Sequence, residues 1–322
     1  MNLRTQAKIL AAIDANNGVL TPKDAERFGI ARCQLTDARN LGVIARPVRG
    51  VYTRQGVELP AARIESARLG EPAVLSHRGA GSDYGLDAIE PGRLEWSVPH
   101  CRRKPAPGVY LRRNFDALEV VERNGLLMTS IAQTLCDLGS VVEVDTLERA
   151  TESALRMELI TDAELRAFAA ARGRNMHGAP ALREVLGRRW PWERPTGSDV
   201  GTILLQVYRR GGVERPIREF EIWEGDVLVA RPDCHWYPIP FGTEVDGFEA
   251  HGTPPAFQYD LNRSNRIGDV RHLERRFTYA DVVKRPRYVC NETLRGLAIA
   301  REVFPNCSQV RWTPGPSCLL AA

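Results

Sequence analysis

The stretch TPKDAERFGIARCQLTDARNLG, residues 21–42, predicts two short helices joined by a turn at Gly29. Thr21 stands where an N-cap is expected, because its hydroxyl can accept a hydrogen bond from the first turn of a helix. Pro22 suits the first helical turn, and the charge of Asp24 suits the positive end of the helix dipole. The second helix follows the turn directly, so the stretch is typical of a helix-turn-helix.

The second helix, predicted over residues 31–41, has an inner apolar face and an outer polar face. Leu35, Ala38 and Leu41 recur at helical spacing and are expected to face inward. The side chains left for the outer face are Arg32, Gln34, Thr36 and Arg39. Arginine can hydrogen-bond guanine through two donors, and glutamine can pair with adenine in the same way. These four residues are therefore candidate DNA-binding residues.

Two flanking segments complete a predicted N-terminal domain, residues 1–54. Apolar residues between positions 9 and 13 form the inner face of a preceding helix. Residues 43–52 alternate in polarity around a glycine, which predicts a β-hairpin, or wing. Arg46 and Arg49 of this hairpin, and Arg54 after it, are candidates for contacts with DNA phosphates or the minor groove. The whole segment predicts a winged helix-turn-helix.

Positive charge is concentrated in these first 54 residues, which contain nine basic and four acidic side chains. The full chain of 322 residues has a formal net charge of only +4. A local excess of positive charge favours a polyanionic partner, and double-stranded DNA is the predicted one. The alternative is a small helical bundle whose solvated polar face contacts another protein.

Residues 55–192 predict a mainly helical middle domain that ends at a proline-rich break near Pro191 and Pro195. Its helices are expected at 129–138, 143–158, 161–172 and 178–188, and its strands at 94–98 and 109–113. Residues 193–305 predict a mixed α/β domain. Its strands are expected at 217–224, 227–235, 240–246 and 273–278, and its helices after Ser198, at 255–267 and at 289–302. Residues 306–322 form a predicted loose tail. The fold class is therefore α/β with several domains.

Three carboxylates are predicted to gather in the C-terminal domain. Glu244 and Asp246 are two residues apart on a predicted strand, so their side chains share one face, and Asp233 lies at the adjoining strand. Such carboxylates repel each other unless a cation neutralises them, and Mg²⁺ suits hard oxygen ligands such as Asp233 and Glu244. The ion could activate water to hydrolyse a phosphodiester, with His251 as a general base or a donor to phosphate.

Two basic residues, Arg263 and Arg266, lie three apart on the predicted helix that follows these carboxylates. They are candidates to hold the DNA backbone beside the predicted site. The alternative interpretation assigns Asp233 and Asp246 to turns and Glu244 to a solvated strand edge.

The seven cysteines are scattered and form no C-x-x-C pair, so neither a disulfide framework nor a zinc knuckle is expected. No stretch approaches the ~18 consecutive apolar residues of a membrane span, and the first residues lack the apolar stretch of a secretory signal. These observations predict a cytoplasmic protein with no membrane partner. His77 has no neighbouring nucleophile or metal ligand and is interpreted as a structural hydrogen-bonding residue.

The N-terminal and middle parts of the chain resemble AbiEi-type antitoxins of type IV toxin–antitoxin systems. The resemblance is carried by Arg49-Gly50-Val51-Tyr52 and by the middle stretches at 73–78, 108–113, 129–138 and 159–161. The C-terminal part is similar to small restriction-endonuclease-like, PD-(D/E)XK, domains related to very-short-patch-repair endonucleases. That similarity is carried by Pro232-Asp233, Glu244-Val245-Asp246-Gly247, His251 and Arg276-Phe277-Thr278.

The resemblance implies a bacterial regulator that binds and represses its own promoter and has a cognate toxin as partner. Two positions depart from the nuclease pattern. Gly201 stands where related domains have a glutamate in the first helix, with Asp199 as the candidate substitute. Asp246 stands where the nuclease motif has a lysine. These departures weaken the expected metal site.

The leading hypothesis is therefore a DNA-binding transcriptional regulator of the antitoxin type. The rival is a Mg²⁺-dependent DNA endonuclease of defence or repair, targeted by the winged helix. A third hypothesis is an antitoxin that neutralises a nucleotidyltransferase-like toxin by protein contact. A homodimer is expected because helix-turn-helix proteins commonly bind paired half-sites.

Overall fold

The computed structural model describes residues 1–70, 73–99, 109–112, 118–172, 176–224, 226–246, 267–268 and 271–304. The chain divides into two compact units. The first unit comprises residues 1–85 and 89–141, and the second comprises residues 86–88 and 142–322. Both units combine helices with β-sheets, so the fold is mixed α/β, as the sequence predicts. The domain boundaries predicted at residues 54, 192 and 305 stay a prediction.

Three helices and a β-hairpin open the first unit: α1 (Leu3–Ala15), α2 (Pro22–Arg27), α3 (Arg32–Asn40), β1 (Ile44–Val48) and β2 (Val51–Arg54). Thr21 and Asp24 each accept a hydrogen bond from the backbone N–H of the other, which is the predicted start of α2. Leu35 and Ala38 are buried in the core that α3 shares with α1. Leu41, predicted to face inward, is exposed because α3 ends one residue before it.

A five-stranded sheet follows α4 (Ala61–Leu69) in the first unit. Its strands are β3 (Val74–Leu75), β4 (Leu94–Ser97), β5 (Val109–Arg112), β6 (Val120–Arg123) and β7 (Leu126–Thr129). The strand order is β5-β4-β3-β7-β6, and the sheet is mixed because β3 pairs parallel with β7 and antiparallel with β4. Two helices, α5 (His77–Asp83) and α6 (Ile131–Leu138), contact each other, and α5 also contacts β4.

The hairpin of β6 and β7 is missing from the sequence prediction, which expected this part of the chain to be mainly helical. Val120 and Val121 are consecutive on β6 and both are exposed, so the alternation that marks a half-buried strand is absent. The turn is Asn124-Gly125, with φ angles of 50° and 68°. Asn-Gly at a two-residue turn is a strong hairpin signal, because both residues tolerate the left-handed conformation.

Gly79 allows α5 to approach β4 closely. A Cβ at this position would lie 2.9 Å from the backbone nitrogen of Glu95 and 3.1 Å from its carbonyl oxygen. The Glu95 side chain is fully buried, and Arg78 and Arg112 each place a guanidinium nitrogen 3.1 Å from its Oε1. Burial alone would raise the pKa of Glu95, but hydrogen bonds and the two arginine charges hold it below its ordinary value.

Four helices open the second unit: α7 (Val144–Arg156), α8 (Asp162–Ala171), α9 (Ala179–Gly187) and α10 (Asp199–Arg210). All four lie close to their predicted bounds. Local caps at the first residues of α8 and α10 explain why these helix starts could be predicted. Thr161 and Glu164 form a capping box at α8, and the Ser198 hydroxyl accepts a hydrogen bond from the Gly201 N–H at α10.

The main sheet of the second unit has four strands: β8 (Ile217–Arg218), β11 (Cys234–His235), β12 (Phe241–Asp246) and β13 (Leu273–Thr278). Their order is β13-β12-β11-β8, with β12 parallel to β13 and β11 antiparallel to both of its neighbours. A separate hairpin consists of β9 (Ile222–Glu224) and β10 (Val227–Ala230). Two helices, α11 (Tyr279–Lys284) and α12 (Pro286–Val303), follow β13.

The strands predicted over 217–224 and 227–235 are each split in two. Glu219 has a φ of 51°, and this left-handed conformation interrupts the first of them. Pro232 has no N–H to donate to a strand ladder, and it lies in the gap between β10 and β11. Both splits therefore occur at residues whose backbone cannot continue a strand.

Parts of the predicted C-terminal domain fall where the structure gives no description. Residues 255–266 of a predicted helix and the predicted tail at 306–322 lie outside the described residues. Among the helices that are described, none has the length and apolar character needed to cross a membrane.

His77 is buried at the start of α5, and its Nδ1 lies 2.9 Å from the Ser76 hydroxyl. Burial lowers the pKa of His77 from 6.5 to about 4. Between these two pH values the unfolded chain binds a proton at this residue and the folded chain does not. We therefore expect the free energy of unfolding to decrease as the pH falls through this window, by about 2 kcal/mol at about pH 4.5.

Urea unfolding of the parent and of His77→Gln, from neutral pH to about pH 4.5, measures this contribution. The variant lacks the titrating imidazole, so its stability should decline less steeply than that of the parent. Parallel declines in the two proteins would show that His77 does not carry the effect.

Candidate nucleic-acid interface and carboxylate site

The outer face of α3 presents the polar side chains that the sequence predicts. Arg32, Thr36 and Arg39 are exposed, and the side chain of Arg32 is 80% accessible. Gln34 is half-buried, and its Oε1 accepts a hydrogen bond of 2.8 Å from the Ala31 N–H. This bond helps to cap α3, so the amide NH₂ of Gln34 is the group that remains for an outside contact.

The β1–β2 hairpin presents two further cations. Arg46 lies over the ring of Tyr52, with 5.9 Å between its guanidinium carbon and the ring centroid. Arg49 is exposed beside Gly50, whose φ of 86° forms the bend. Arg54 instead pairs with Asp14, with 2.8 Å between its Nε and Oδ1 of the carboxylate. The hairpin therefore offers Arg46 and Arg49, and not Arg54, to a partner.

A cleft of about 890 Å³ lies in the first unit between α2, the hairpin bend, α4 and the β6–β7 turn. Arg32 of α3 and Arg49 of the hairpin both line it, so the structure brings these two predicted residues together. Four more cations line the same cleft: Lys23, Arg27, Arg63 and Arg68. Arg39 and Arg46 are not among its described lining residues.

Arg63 and Arg68 of α4 were missed as site residues, because α4 lies outside the segment that the sequence assigns to DNA binding. Residues nearly fifty positions apart, such as Asn17 and Arg63, meet only in the folded chain, where the Arg63 Nε donates to the Asn17 carbonyl oxygen at 3.1 Å. No local pattern in the sequence signals this approach.

Asp233 and Glu244 occupy neighbouring strands of the second unit. Cys234 pairs with Thr243 in the antiparallel ladder of β11 and β12, so Asp233 and Glu244 are the next residues along it. Oδ2 of Asp233 accepts a hydrogen bond of 2.8 Å from the Val245 N–H. This hydrogen bond holds Asp233 beside β12 and occupies one of its two carboxylate oxygens.

The carboxylate of Asp246 forms an ion pair with an arginine of the neighbouring strand. Nε of Arg276 on β13 lies 3.0 Å from its Oδ2 and 3.1 Å from its Oδ1. This fork-shaped ion pair raises the pKa of Arg276 above its ordinary value. Arg276 was not predicted as a site residue. The register of β12 and β13 places it opposite Glu244, and its side chain reaches Asp246 diagonally along the strand.

Glu219 is a further acidic residue near this site that the sequence did not indicate. Burial raises its pKa, and the charge of Glu244 adds to the effect. Arg231 opposes the shift, with its Nε 3.2 Å from the Glu219 Oε2. The Glu219 N–H also donates to the Asp233 carbonyl oxygen at 3.2 Å.

The residues described at this site do not fit a complete magnesium site. Asp199, the candidate substitute for the missing glutamate, pairs with Arg149, with 2.7 Å between Nε and Oδ1. Among the described residues, no three histidine, cysteine or acidic side chains gather closely enough to hold a metal ion. His251, Arg263 and Arg266 lie outside the described residues, and their predicted roles stay predictions. No metal-dependent step is assigned to this site.

Sequence comparison found no protein-family model and no curated protein that matches this chain. The first unit offers a concave cationic surface, which suits a polyanion. The second unit offers carboxylates that hydrogen bonds and arginines hold in place.

Proposed function

We propose that the chain is a bacterial DNA-binding transcriptional regulator, similar in role to the type IV antitoxins that its sequence resembles. Residues 1–54 act as a winged helix-turn-helix, with α3 as the recognition helix and the β1–β2 hairpin as the wing. One observation carries the proposal: cations from α2, α3 and the hairpin converge on one cleft, whose described lining contains one carboxylate, that of Asp24.

The geometry of α3 suits contact with base edges in the major groove. Arg32 has one ion pair, with Glu26 at 3.6 Å, and both side chains are largely exposed. A surface pair of this kind is worth little, so Arg32 can exchange it for a guanine at small cost. Arg49 lies on the hairpin, where a guanidinium can contact phosphates without regard to sequence.

A binding assay on the upstream region of the chain's own gene separates these two roles. Arg32→Ala should reduce the preference for that region over random duplex by about 1–3 kcal/mol, because it removes a base contact. Arg49→Ala should weaken binding to both duplexes equally and lower the slope of log K against log salt by about 1. Electrophoretic mobility shift over a range of salt concentrations measures both effects.

Arg295→Ala is the matched control, because Arg295 is an exposed arginine of α12 with 71% of its side chain accessible. It should bind both duplexes like the parent. If Arg32→Ala and Arg49→Ala also behave like the parent, the DNA surface is not where we place it.

A second candidate, a Mg²⁺-dependent DNA endonuclease, is favoured by the position of Asp233 beside Glu244 on paired strands. The pairing of Asp246 with Arg276 argues against it. We expect supercoiled plasmid to stay intact with the protein and Mg²⁺ or Mn²⁺. Nicking that is lost in an Asp233→Ala/Glu244→Ala variant would instead support the endonuclease.

A further inference from the structure

The cleft of the first unit extends the cationic surface beyond the helices and hairpin of residues 1–54. Its walls include Lys23 and Arg27 of α2 on one side and Arg63 and Arg68 of α4 on the other. With Arg32 and Arg49, six cationic side chains line the cleft. Asp24 is the one acidic residue among the described lining residues. Glu26 and Glu65, outside the lining, pair with Arg32 and Arg68, so the net charge at the cleft is positive but smaller than the six cations alone.

Arg63 is the most deeply buried of these cations, with 9% of the residue exposed. Its Nε donates to the Asn17 carbonyl oxygen, and its Nη1 donates to the Gly125 carbonyl oxygen. Among the described residues, no carboxylate lies within ion-pair distance of it. Burial lowers the pKa of Arg63, and the more distant charge of Glu122 opposes this shift without reversing it. A buried charge is costly without a counter-charge, so an anion in the cleft would offset this cost.

Arg68, five residues further along α4, differs from Arg63 because it has an acidic partner. Its Nε lies 2.7 Å from Oε2 of Glu65, which is itself buried. Arg68 is therefore paired with a carboxylate, whereas no described carboxylate lies within ion-pair distance of Arg63, and Glu122 offsets its charge only from further away.

The β6–β7 turn holds the Arg63 guanidinium at the cleft. A Cβ on Gly125 would lie 2.7 Å from the Arg63 Nη1, so a side chain here would displace the guanidinium. Gly125 also has a φ of 68°, which favours glycine. Two distant segments, the α1–α2 loop and this turn, thus fix a cation that their carbonyl groups orient but do not neutralise.

We propose that this cleft binds phosphate groups, and that these are backbone phosphates of the duplex next to the bases contacted by α3. The inference rests on the proposed function and extends the DNA interface from residues 1–54 onto α4. Arginine donors and phosphate oxygens form charge-assisted hydrogen bonds, often in pairs. Arg63 is the buried donor of the cleft, and Lys23 and Arg27 supply exposed charges at its edge.

The test removes the two edge cations and leaves the fold intact, because Lys23 and Arg27 are both exposed. Binding of the full chain to a labelled duplex of about two helical turns is measured by fluorescence anisotropy over a range of KCl concentrations. For the edge variant, Lys23→Gln/Arg27→Gln, we expect the magnitude of the slope of log K against log[KCl] to decrease by about 1.8, since each phosphate contact contributes about 0.9. The ratio of specific to random affinity should not change.

The matched control is Arg287→Gln/Arg295→Gln, which removes two exposed arginines of α12 and should keep the parent's slope. Arg63→Gln should reduce the affinity for DNA at every salt concentration if the variant folds. If it does not fold, the edge variant alone tests the inference. An unchanged slope in the edge variant, or an equal fall in the control, overturns the inference while DNA binding stands. A parent that binds no duplex at low salt overturns the proposed function itself.

A free phosphorylated ligand has the same chemistry as backbone phosphate, and inorganic pyrophosphate distinguishes the two. Calorimetric titration of the parent and of the edge variant measures its affinity. Weak pyrophosphate binding together with a reduced DNA slope in the variant supports the assignment to DNA. Tight pyrophosphate binding that the variant loses, with an unchanged DNA slope, overturns that assignment in favour of a free ligand.

Discussion

Replacing Arg218 by methionine should lower the free energy of unfolding of the second unit by about 3–5 kcal/mol, because it removes one of the two arginines that pair with each of two buried carboxylates. Arg218 lies on β8, with Nη1 2.8 Å from the Glu152 Oε1 and Nη2 2.6 Å from the Glu193 Oε2. Both glutamate side chains are less than 5% exposed. Burial alone would raise the pKa of Glu152, but the charges of Arg218 and Arg189 hold it below its ordinary value.

The matched control is Arg301→Met in the same unit. Arg301 pairs with Glu214 at 3.2 Å, but both side chains are more than half exposed. An exposed pair contributes about 0–1 kcal/mol, so this variant should unfold close to the parent in urea. Arg218→Met/Glu152→Gln should recover part of the loss, because the glutamine removes one of the two carboxylate charges that Arg218 compensates. Equal midpoints for Arg218→Met and Arg301→Met would show that the buried network does not need Arg218.

Replacing Gly296 by alanine should destabilise the core of the second unit by about 1–3 kcal/mol through overpacking. Gly296 lies on α12 against β12, and a Cβ there would lie 2.6 Å from Cζ of Phe241. Phe241 is fully buried among other core side chains and cannot move aside freely. The melting temperature of the variant measures the effect.

Two further variants separate overpacking from other effects of losing a glycine. Gly187→Ala also changes a helical glycine, at the end of α9, but has no atom within 4 Å of the added methyl. It should leave stability unchanged or raise it by up to about 1 kcal/mol. Gly296→Ala/Phe241→Leu should lose less stability than the two single changes together, because the smaller side chain relieves the clash. Additive losses would contradict this explanation.

Local features of this fold could be predicted from the sequence. Thr21, Thr161 and Ser198 each start a helix through a hydrogen bond within three residues, so a short stretch contains the full signal. The outer face of α3 could be predicted for the same reason. Its exposed positions follow from helical spacing around Leu35 and Ala38.

Features that depend on distant pairing could not be predicted. The parallel pairing of β3 with β7 joins Leu75 to Met128, and nothing near either residue indicates the partner. The ion pair of Asp246 with Arg276 likewise joins residues 30 positions apart, on β12 and β13. Sequence spacing placed Asp246 with Asp233 and Glu244, but in the folded chain Asp246 forms an ion pair with Arg276.

The cleft shows the same limit for the candidate site. Arg32 and Arg49 were predicted from one continuous segment, whereas Arg63 enters the cleft because Asn17 and Gly125 orient it. The Asn124-Gly125 turn was available in the sequence as a hairpin signal and was missed. Recognising that turn would have predicted β6 and β7, but not their approach to α4.

The cationic surface of the first unit should bind double-stranded DNA. Fluorescence anisotropy of a labelled random duplex, titrated with the full chain from low to physiological salt, tests this binding most directly. We predict binding at low salt that weakens linearly on a log–log plot, with a slope of about −0.9 for each phosphate contacted. Absence of binding to any duplex at low salt, or an affinity that does not depend on salt, would contradict the account.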